Sequence, residues 1–254
     1  MKSTRAHSGT QNCLVPFGLG LATGALVGVG LQRRLTAPRR MPLLDIWQPA
    51  MTQMRGELAA ALLAQRVQER YDELFSHRPH FASRALRMHL ETGILPCLAL
   101  YQVLRQEHGT TESAMDELDR LFNAWAERSG KRKLLRQMAR LPNPFALLRL
   151  GNRFTLRRDF PLTGAGWRMT WVEDSDQRVA YTITECFYVK MLASYGAPEL
   201  TRHICRMDDL IFSGLRGFRW ERTKTLGRGD DCCDFCFSRT GETKTSQVWE
   251  TCEV

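Results

Sequence analysis

The segment GWRMTWVEDSDQRVAYTIT, residues 166–184, decides the class of fold. Two short runs of apolar or alternating residues, GWRMTWVED and RVAYTIT, flank the turn-forming triplet Asp174-Ser175-Asp176. This pattern is typical of a β-hairpin. The next two segments, ECFYVKMLASYG and PELTRHICRMDDLIF, have apolar residues at helical spacing, and Pro198 suits the first turn of the second helix.

Two further strands are predicted after these helices. They are GFRWERTKTL and CCDFCFSR, joined by a turn around Gly227 and Gly229. The order β-β-α-α-β-β predicts a cysteine-rich α+β domain with an antiparallel sheet over residues 146–254.

The preceding region, residues 41–145, shows helical periodicity instead. Apolar residues recur at spacings of three and four from about Leu43 to Glu127. Gly109 is expected to end one helix, and Thr111 or Ser113 to cap the next. We expect this region to form a helical layer that supports the α+β domain.

The N-terminal region, residues 1–40, contains 19 uncharged residues at 13–31, CLVPFGLGLATGALVGVGL. A bilayer requires about 20 residues in a helix, so the fold class includes a membrane-spanning helix at this end. A cleaved signal peptide, or a start at Met41, is the alternative. More arginines follow the segment than precede it, which predicts a single-pass protein with its C-terminal domain in the cytoplasm. Gly20, Gly24 and Gly28 could pair two such helices in a homodimer.

The net charge of +9 is unevenly distributed, because nine Lys or Arg and no acid lie within 131–158. Zinc-finger spacing, aromatic RNA-binding signatures and a helix-turn-helix are all lacking, which argues against a nucleic-acid partner. The segment 131–141 predicts a basic amphipathic helix that could lie on an anionic membrane or present a solvated face. The residues expected at a membrane surface are Arg33, Arg34, Lys131, Arg132, Lys133 and Arg136.

Cysteines are concentrated near the C-terminus, with six of the eight in residues 186–254. On the helix after Pro198, Cys205 and Asp208 fall on one stripe beside the core stripe. In the last strand, period-two geometry predicts one face with Cys233, Phe235 and Phe237 and the other with Cys232, Asp234 and Cys236. These cysteines could be ordinary core thiols, structural disulfides, reactive thiols, or part of a metal site completed by Cys186, Cys205 and His203.

Several short motifs occur in order along this region. They are CFY at 186–188, YGAPEL at 195–200, CRMD at 205–208, RTKTLGRG at 222–229 and CDFCF at 233–237. Together with the helical stretches at 93–109 and 110–122, they resemble the L-2-amino-thiazoline-4-carboxylic acid hydrolase family. Two features depart from the family pattern: the N-terminal apolar segment, and the additional cysteines Cys232 and Cys236.

The resemblance implies an enzyme that opens a small cyclic amidine by attack of water or a cysteine thiolate. Such a reaction requires a nucleophile, a proton carrier and a group that stabilises developing charge. The expected nucleophile is Cys186 or Cys205, with Asp208 as proton shuttle, Cys233 as the third motif cysteine and Asp234 as amidinium partner. Arg222 and His203 are expected to bind the substrate, and Arg222 is expected to bind the substrate's carboxylate.

The sequence allows alternatives for the cofactor and for the function. No cofactor is expected, although a divalent metal bound by Cys205, Cys233 or Asp208 is an alternative. A membrane-tethered small-molecule sensor and a cysteine-based metal or redox protein are the other candidate functions.

Overall fold

The computed structural model describes residues 40–162 and 164–240. Its first part is helical, as the periodicity predicts. The helices are α1 (Leu44–Arg55), α2 (Glu57–Ser76), α3 (Arg84–His89), α4 (Leu95–His108), α5 (Thr111–Arg128), α6 (Gly130–Met138) and α7 (Pro144–Asp159), with a π-helical turn at Leu90–Ile94 between α3 and α4.

The helix ends follow from local sequence. Gly56, at φ 82°, separates α1 from α2, and Gly109, at φ 73°, ends α4 as predicted; both conformations favour glycine. Thr110 caps α5 by accepting a hydrogen bond from the Ser113 N–H at 3.3 Å, so the cap lies one residue before the predicted Thr111.

Helix α7 is not among the predicted elements, because the apolar residues after Pro144 do not show a clear helical periodicity. Its start nevertheless carries a clear signal. The Asn143 side chain accepts from the Ala146 N–H at 3.1 Å, and Pro144 occupies the first turn, where its missing N–H costs nothing. An Asn-Pro pair before an apolar run would have indicated this helix.

The second part is the predicted β-β-α-α-β-β unit. It comprises β1 (Arg168–Asp174), β2 (Arg178–Glu185), α8 (Phe187–Ser194), α9 (Leu200–Phe212), β3 (Phe218–Glu221) and β4 (Cys233–Arg239). Within the described residues the strands form an antiparallel sheet in the order β1-β2-β4-β3. The α+β class with an antiparallel sheet is therefore confirmed.

Strand β3 is shorter than predicted because its continuation makes different hydrogen bonds. The backbone N–H groups of Thr223 and Lys224 donate to the Asp234 carboxylate at 2.9 and 2.6 Å. The chain then forms a 3₁₀ turn at Leu226–Arg228. This turn packs closely on α9: a Cβ added at Gly227 would lie 2.9 Å from the Cys205 sulfur.

Helical part and sheet share one buried apolar cluster. Trp47 and Phe122, which stack at 6.1 Å, belong to the same cluster as Phe187 and Phe237. The strand face predicted to be apolar packs on α9, where Phe237 contacts Phe212 edge-on at 5.0 Å. The site described below lies at this junction.

The predicted fold class requires one correction. Within the described part of the chain, no helix is long and apolar enough to cross a membrane. The apolar helix α8, for example, has 8 residues, whereas a bilayer requires about 20. The segment for which a membrane helix was predicted, 13–31, lies outside the described residues, as do Arg33 and Arg34.

Candidate active site

A cavity of about 110 Å³ lies where α6, α7 and α9 meet one face of the sheet. Its walls are mainly apolar and aromatic, with a few polar side chains, which is the usual composition of a small-molecule site. The polar side chains that line the cavity come from different parts of the chain. They are Lys131, Asn152, Thr155, Tyr188, Asp208 and Arg222, together with the thiols of Cys186, Cys205 and Cys233.

The three motif cysteines are brought to this cavity from distant positions in the chain. Cys186 joins β2 to α8, Cys205 lies on α9, and Cys233 begins β4 opposite Ile183. All three are free thiols. Burial raises the pKa of each, to about 12 for Cys233, so each resting thiol is protonated near neutral pH.

Cys186 has the environment that best supports a thiolate. Burial raises its pKa, but the backbone N–H groups of Val189 and Tyr188 and the Trp167 side chain act in the opposite direction. The thiol thus faces the positive end of α8, where backbone donors stabilise negative charge. Cys233 accepts one backbone hydrogen bond, from the Leu226 N–H at 3.3 Å.

Asp208 and Arg222 form an ion pair beside the thiols, in which the Asp208 side chain is 29 % exposed. Arg222 Nη1 donates to Asp208 Oδ2 at 3.3 Å, while Nη2 donates to Asp209 Oδ2 at 2.7 Å and to the Cys205 carbonyl at 2.8 Å. The Arg222 side chain is only 2 % exposed. Burial raises the pKa of Asp208, and the positive charges of Arg222 and Lys131 oppose that shift. Arg222 therefore holds Asp208 in place.

Lys131 was predicted for a basic helix surface, yet the structure places its ammonium group at this cavity. The ammonium lies 4.6 Å from the centroid of the Phe212 ring. Burial lowers the pKa of Lys131 to about 8, with the Asp208 charge opposing that shift. Its neighbours on α6 differ, since Lys133 and Arg136 are exposed and Arg132 is half-buried.

The remaining predicted site residues lie elsewhere. Asp234 is on the opposite face of β4, where the backbone N–H groups of Thr223 and Lys224 and the Thr223 hydroxyl donate to its carboxylate. His203 faces a separate open cleft of about 570 Å³ and contacts Asp119 through Nδ1 at 2.8 Å. This outer cleft shares Cys205 and Arg222 with the cavity.

The alternative of a divalent metal bound by Cys205, Cys233 or Asp208 stays a prediction. Nowhere in 40–162 and 164–240 do three or more His, Cys, Asp or Glu side chains lie close enough together to hold a metal ion. Cys236, three residues after Cys233 in β4, faces away from Cys233 and accepts a hydrogen bond from Arg178 Nε at 3.2 Å.

A buried histidine, His89, contacts the cavity-lining residue Tyr188. His89 Nε2 lies 2.8 Å from the Asp159 carbonyl oxygen, and Nδ1 lies 3.1 Å from the Tyr188 hydroxyl. Because a carbonyl oxygen only accepts, the proton of the neutral ring is on Nε2, and Tyr188 donates to Nδ1. Burial lowers the pKa of His89 to about 4.

This histidine should make folding stability depend on pH. The unfolded His89 side chain takes up a proton near pH 6.5, whereas the folded one resists protonation until about pH 4. The stabilisation is therefore complete above pH 6.5 and is lost as pH falls towards 4, by about 3 kcal/mol. Urea unfolding at pH 7 and pH 4 would measure this loss. His89→Gln, which does not titrate, should lose about 3 kcal/mol less over the same interval; equal losses in the two proteins would contradict the prediction.

The fold and cavity together define an α+β protein with a thiol-lined cavity. The family model for L-2-amino-thiazoline-4-carboxylic acid hydrolase matches residues 87–237, which include every cavity residue named above. The chain therefore belongs to this family, and the resemblance seen in its motifs is confirmed. Neither the curated proteins nor the solved structures contain a significant match.

Proposed function

We propose that this protein is a hydrolase that opens a small cyclic amidine of the thiazoline carboxylate type, using Cys186 as nucleophile. The observation that carries the proposal is the meeting of Cys186, Asp208 and Arg222 in one cavity, although they come from three separate parts of the chain. Membership of the family adds the substrate class.

Asp208 suits the charge of such a substrate. The amidine carbon of a 2-amino-thiazoline lies between two nitrogens and a sulfur, and the protonated group is a planar cation. The Asp208 carboxylate is the anionic group of the cavity, and Arg222 orients it. The positive charge of a substrate bound there also acts on the nearby Cys186 thiol, so substrate binding lowers the free energy needed to form the thiolate.

The reaction then proceeds in two balanced steps. Cys186 Sγ forms a bond to the amidine carbon, the ring bond from that carbon to sulfur breaks, and the thiol proton passes through Asp208 to the departing sulfur. Sulfur leaves in preference to nitrogen because a thiolate is the more stable anion. Water next attacks the same carbon and the bond to Cys186 breaks. One water proton restores the thiol, and Asp208 accepts the other and releases it to solvent, which regenerates the carboxylate. The product carries a urea group and a free thiol.

The test is incubation of the full chain with L-2-amino-thiazoline-4-carboxylate, followed by mass spectrometry and thiol titration. We expect a product heavier by one water, with one new thiol per molecule. Asp208→Asn should reduce kcat/KM by about 10²–10⁴-fold, because the proton carrier is lost. Asp231→Asn is the matched control, since Asp231 is an exposed carboxylate paired with Lys224, and it should retain full activity. An unconsumed substrate, or full turnover by Asp208→Asn, would refute the proposal.

A further inference from the structure

One wall of the cavity presents polar atoms that the described residues do not satisfy. Asn152 Nδ2 and Thr155 Oγ1 are both buried, and neither has a hydrogen-bond partner among those residues. Both side chains come from α7 and line the cavity, three residues apart, so they lie on the same face of that helix. Thr155 is only 6 % exposed.

Such atoms are costly to leave unpaired. A buried donor or acceptor without a partner destabilises a fold by about 1–3 kcal/mol. Two on one helix face, beside a cavity with room for a small molecule, indicate that the cavity's occupant supplies the missing partners. This observation is independent of the thiols and of Asp208.

The chemistry of the wall indicates which partner fits. Asn152 offers an amide N–H, Thr155 offers a hydroxyl, and the Lys131 ammonium lies at the same cavity. All three can donate hydrogen bonds, and one carries a positive charge when protonated. A carboxylate, with two acceptor oxygens and a negative charge, satisfies this set better than a neutral group.

We propose that Lys131, Asn152 and Thr155 form the subsite that binds the substrate's carboxylate; this inference rests on the proposed function for the identity of the substrate. Arg222, the residue expected from sequence to bind the carboxylate, is instead engaged by Asp208, Asp209 and the Cys205 carbonyl. The cavity thereby binds a substrate of two opposite charges, with its cation at Asp208 and its carboxylate at the α7 wall.

The test measures binding without turnover. Full-chain protein carrying Cys186→Ala is titrated by calorimetry with L-2-amino-thiazoline-4-carboxylate and with 2-amino-thiazoline, which has the same ring without the carboxylate. The acid should bind at least about 30-fold more tightly, because the charge-assisted hydrogen bonds outweigh the cost of desolvating the carboxylate by about 2 kcal/mol.

Second substitutions then locate the subsite. Thr155→Val, which keeps the shape but removes the hydroxyl, and Asn152→Leu should each weaken binding of the acid about 10-fold, and Lys131→Met should weaken it further. Binding of the ring without the carboxylate should change less than about 3-fold in each case. Thr155→Ser should restore most of the affinity, and Lys133→Met, on the exposed face of α6, should have no effect.

The outcomes separate this inference from the proposed function. If the acid binds and the wild-type chain hydrolyses it, but the α7 and Lys131 variants weaken both ligands equally, the carboxylate subsite is refuted and the hydrolase proposal stands. If the acid binds without being consumed, and the variants weaken the acid alone, the subsite stands and the hydrolase proposal fails. Failure of the acid to bind at all would overturn both.

Discussion

Replacement of Cys186 by alanine is expected to reduce turnover of the thiazoline carboxylate by at least about 10³-fold, while the substrate still binds. The reason is that this thiol faces the N–H groups of Tyr188 and Val189 at the start of α8. These donors can stabilise a thiolate and the charge that develops on it during attack. Steady-state kinetics with mass-spectrometric detection of the product would measure the loss.

The other cavity thiols provide matched controls. Cys205 lies in the middle of α9 and is covered by the turn at Gly227, and Cys233 accepts a single backbone hydrogen bond. Cys205→Ala and Cys233→Ala should therefore lower kcat by no more than about 10-fold, through altered packing. Trapping of an adduct on Cys186 by rapid quenching would support the two-step reaction. Full activity of Cys186→Ala together with an inactive Cys205→Ala would transfer the nucleophilic role to α9.

Removal of the Arg222 charge is expected to have the largest effect on stability. Arg222→Met should lower the free energy of unfolding by about 3–5 kcal/mol, because it leaves the Asp208 and Asp209 carboxylates and the Cys205 carbonyl without their shared donor. Its ring neighbours Trp220 and Phe235, at 5.6 and 5.4 Å from the guanidinium carbon, would also lose a cation–π contact. Denaturant unfolding at pH 7 gives the measurement.

A double variant tests the cause of that loss. Arg222→Met combined with Asp208→Asn should be more stable than Arg222→Met alone, because the unpaired, half-buried Asp208 charge is then removed. Arg219→Met provides the control, since Arg219 lies on β3 three residues before Arg222, is exposed and pairs with Glu221. It should change stability by less than about 0.5 kcal/mol. A loss below about 1 kcal/mol in Arg222→Met would show that the pair contributes little to folding.

The helices and strands were largely predictable because they depend on local patterns. The turn-forming triplet at 174–176 separates β1 from β2, and Gly109 ends α4, since these residue types favour those backbone conformations whatever packs around them. The exception was α7, whose start depends on the pair Asn143-Pro144 rather than on clear periodicity. Strand β3 was overestimated because Asp234, a distant residue, binds the backbone of Thr223 and Lys224.

The candidate site was only partly predictable. Ordered motifs indicated that Cys186, Cys205, Asp208, Arg222 and Cys233 belong together, and the structure places all five at one cavity. The same motifs could not decide whether Cys233 or Asp234 lines the cavity. Adjacent residues of a strand point to opposite faces, and the sequence does not show which face encloses the cavity.

The sequence by itself therefore determined the α+β class, the order of the elements, the family and the motif residues of the site. Tertiary structure alone decided that the Lys131 ammonium lies at the cavity, that Asn152 and Thr155 form part of its wall, and that His203 faces the outer cleft. The physical reason is that periodicity shows which side of a helix is apolar, whereas burial of a polar side chain depends on which other elements pack against it.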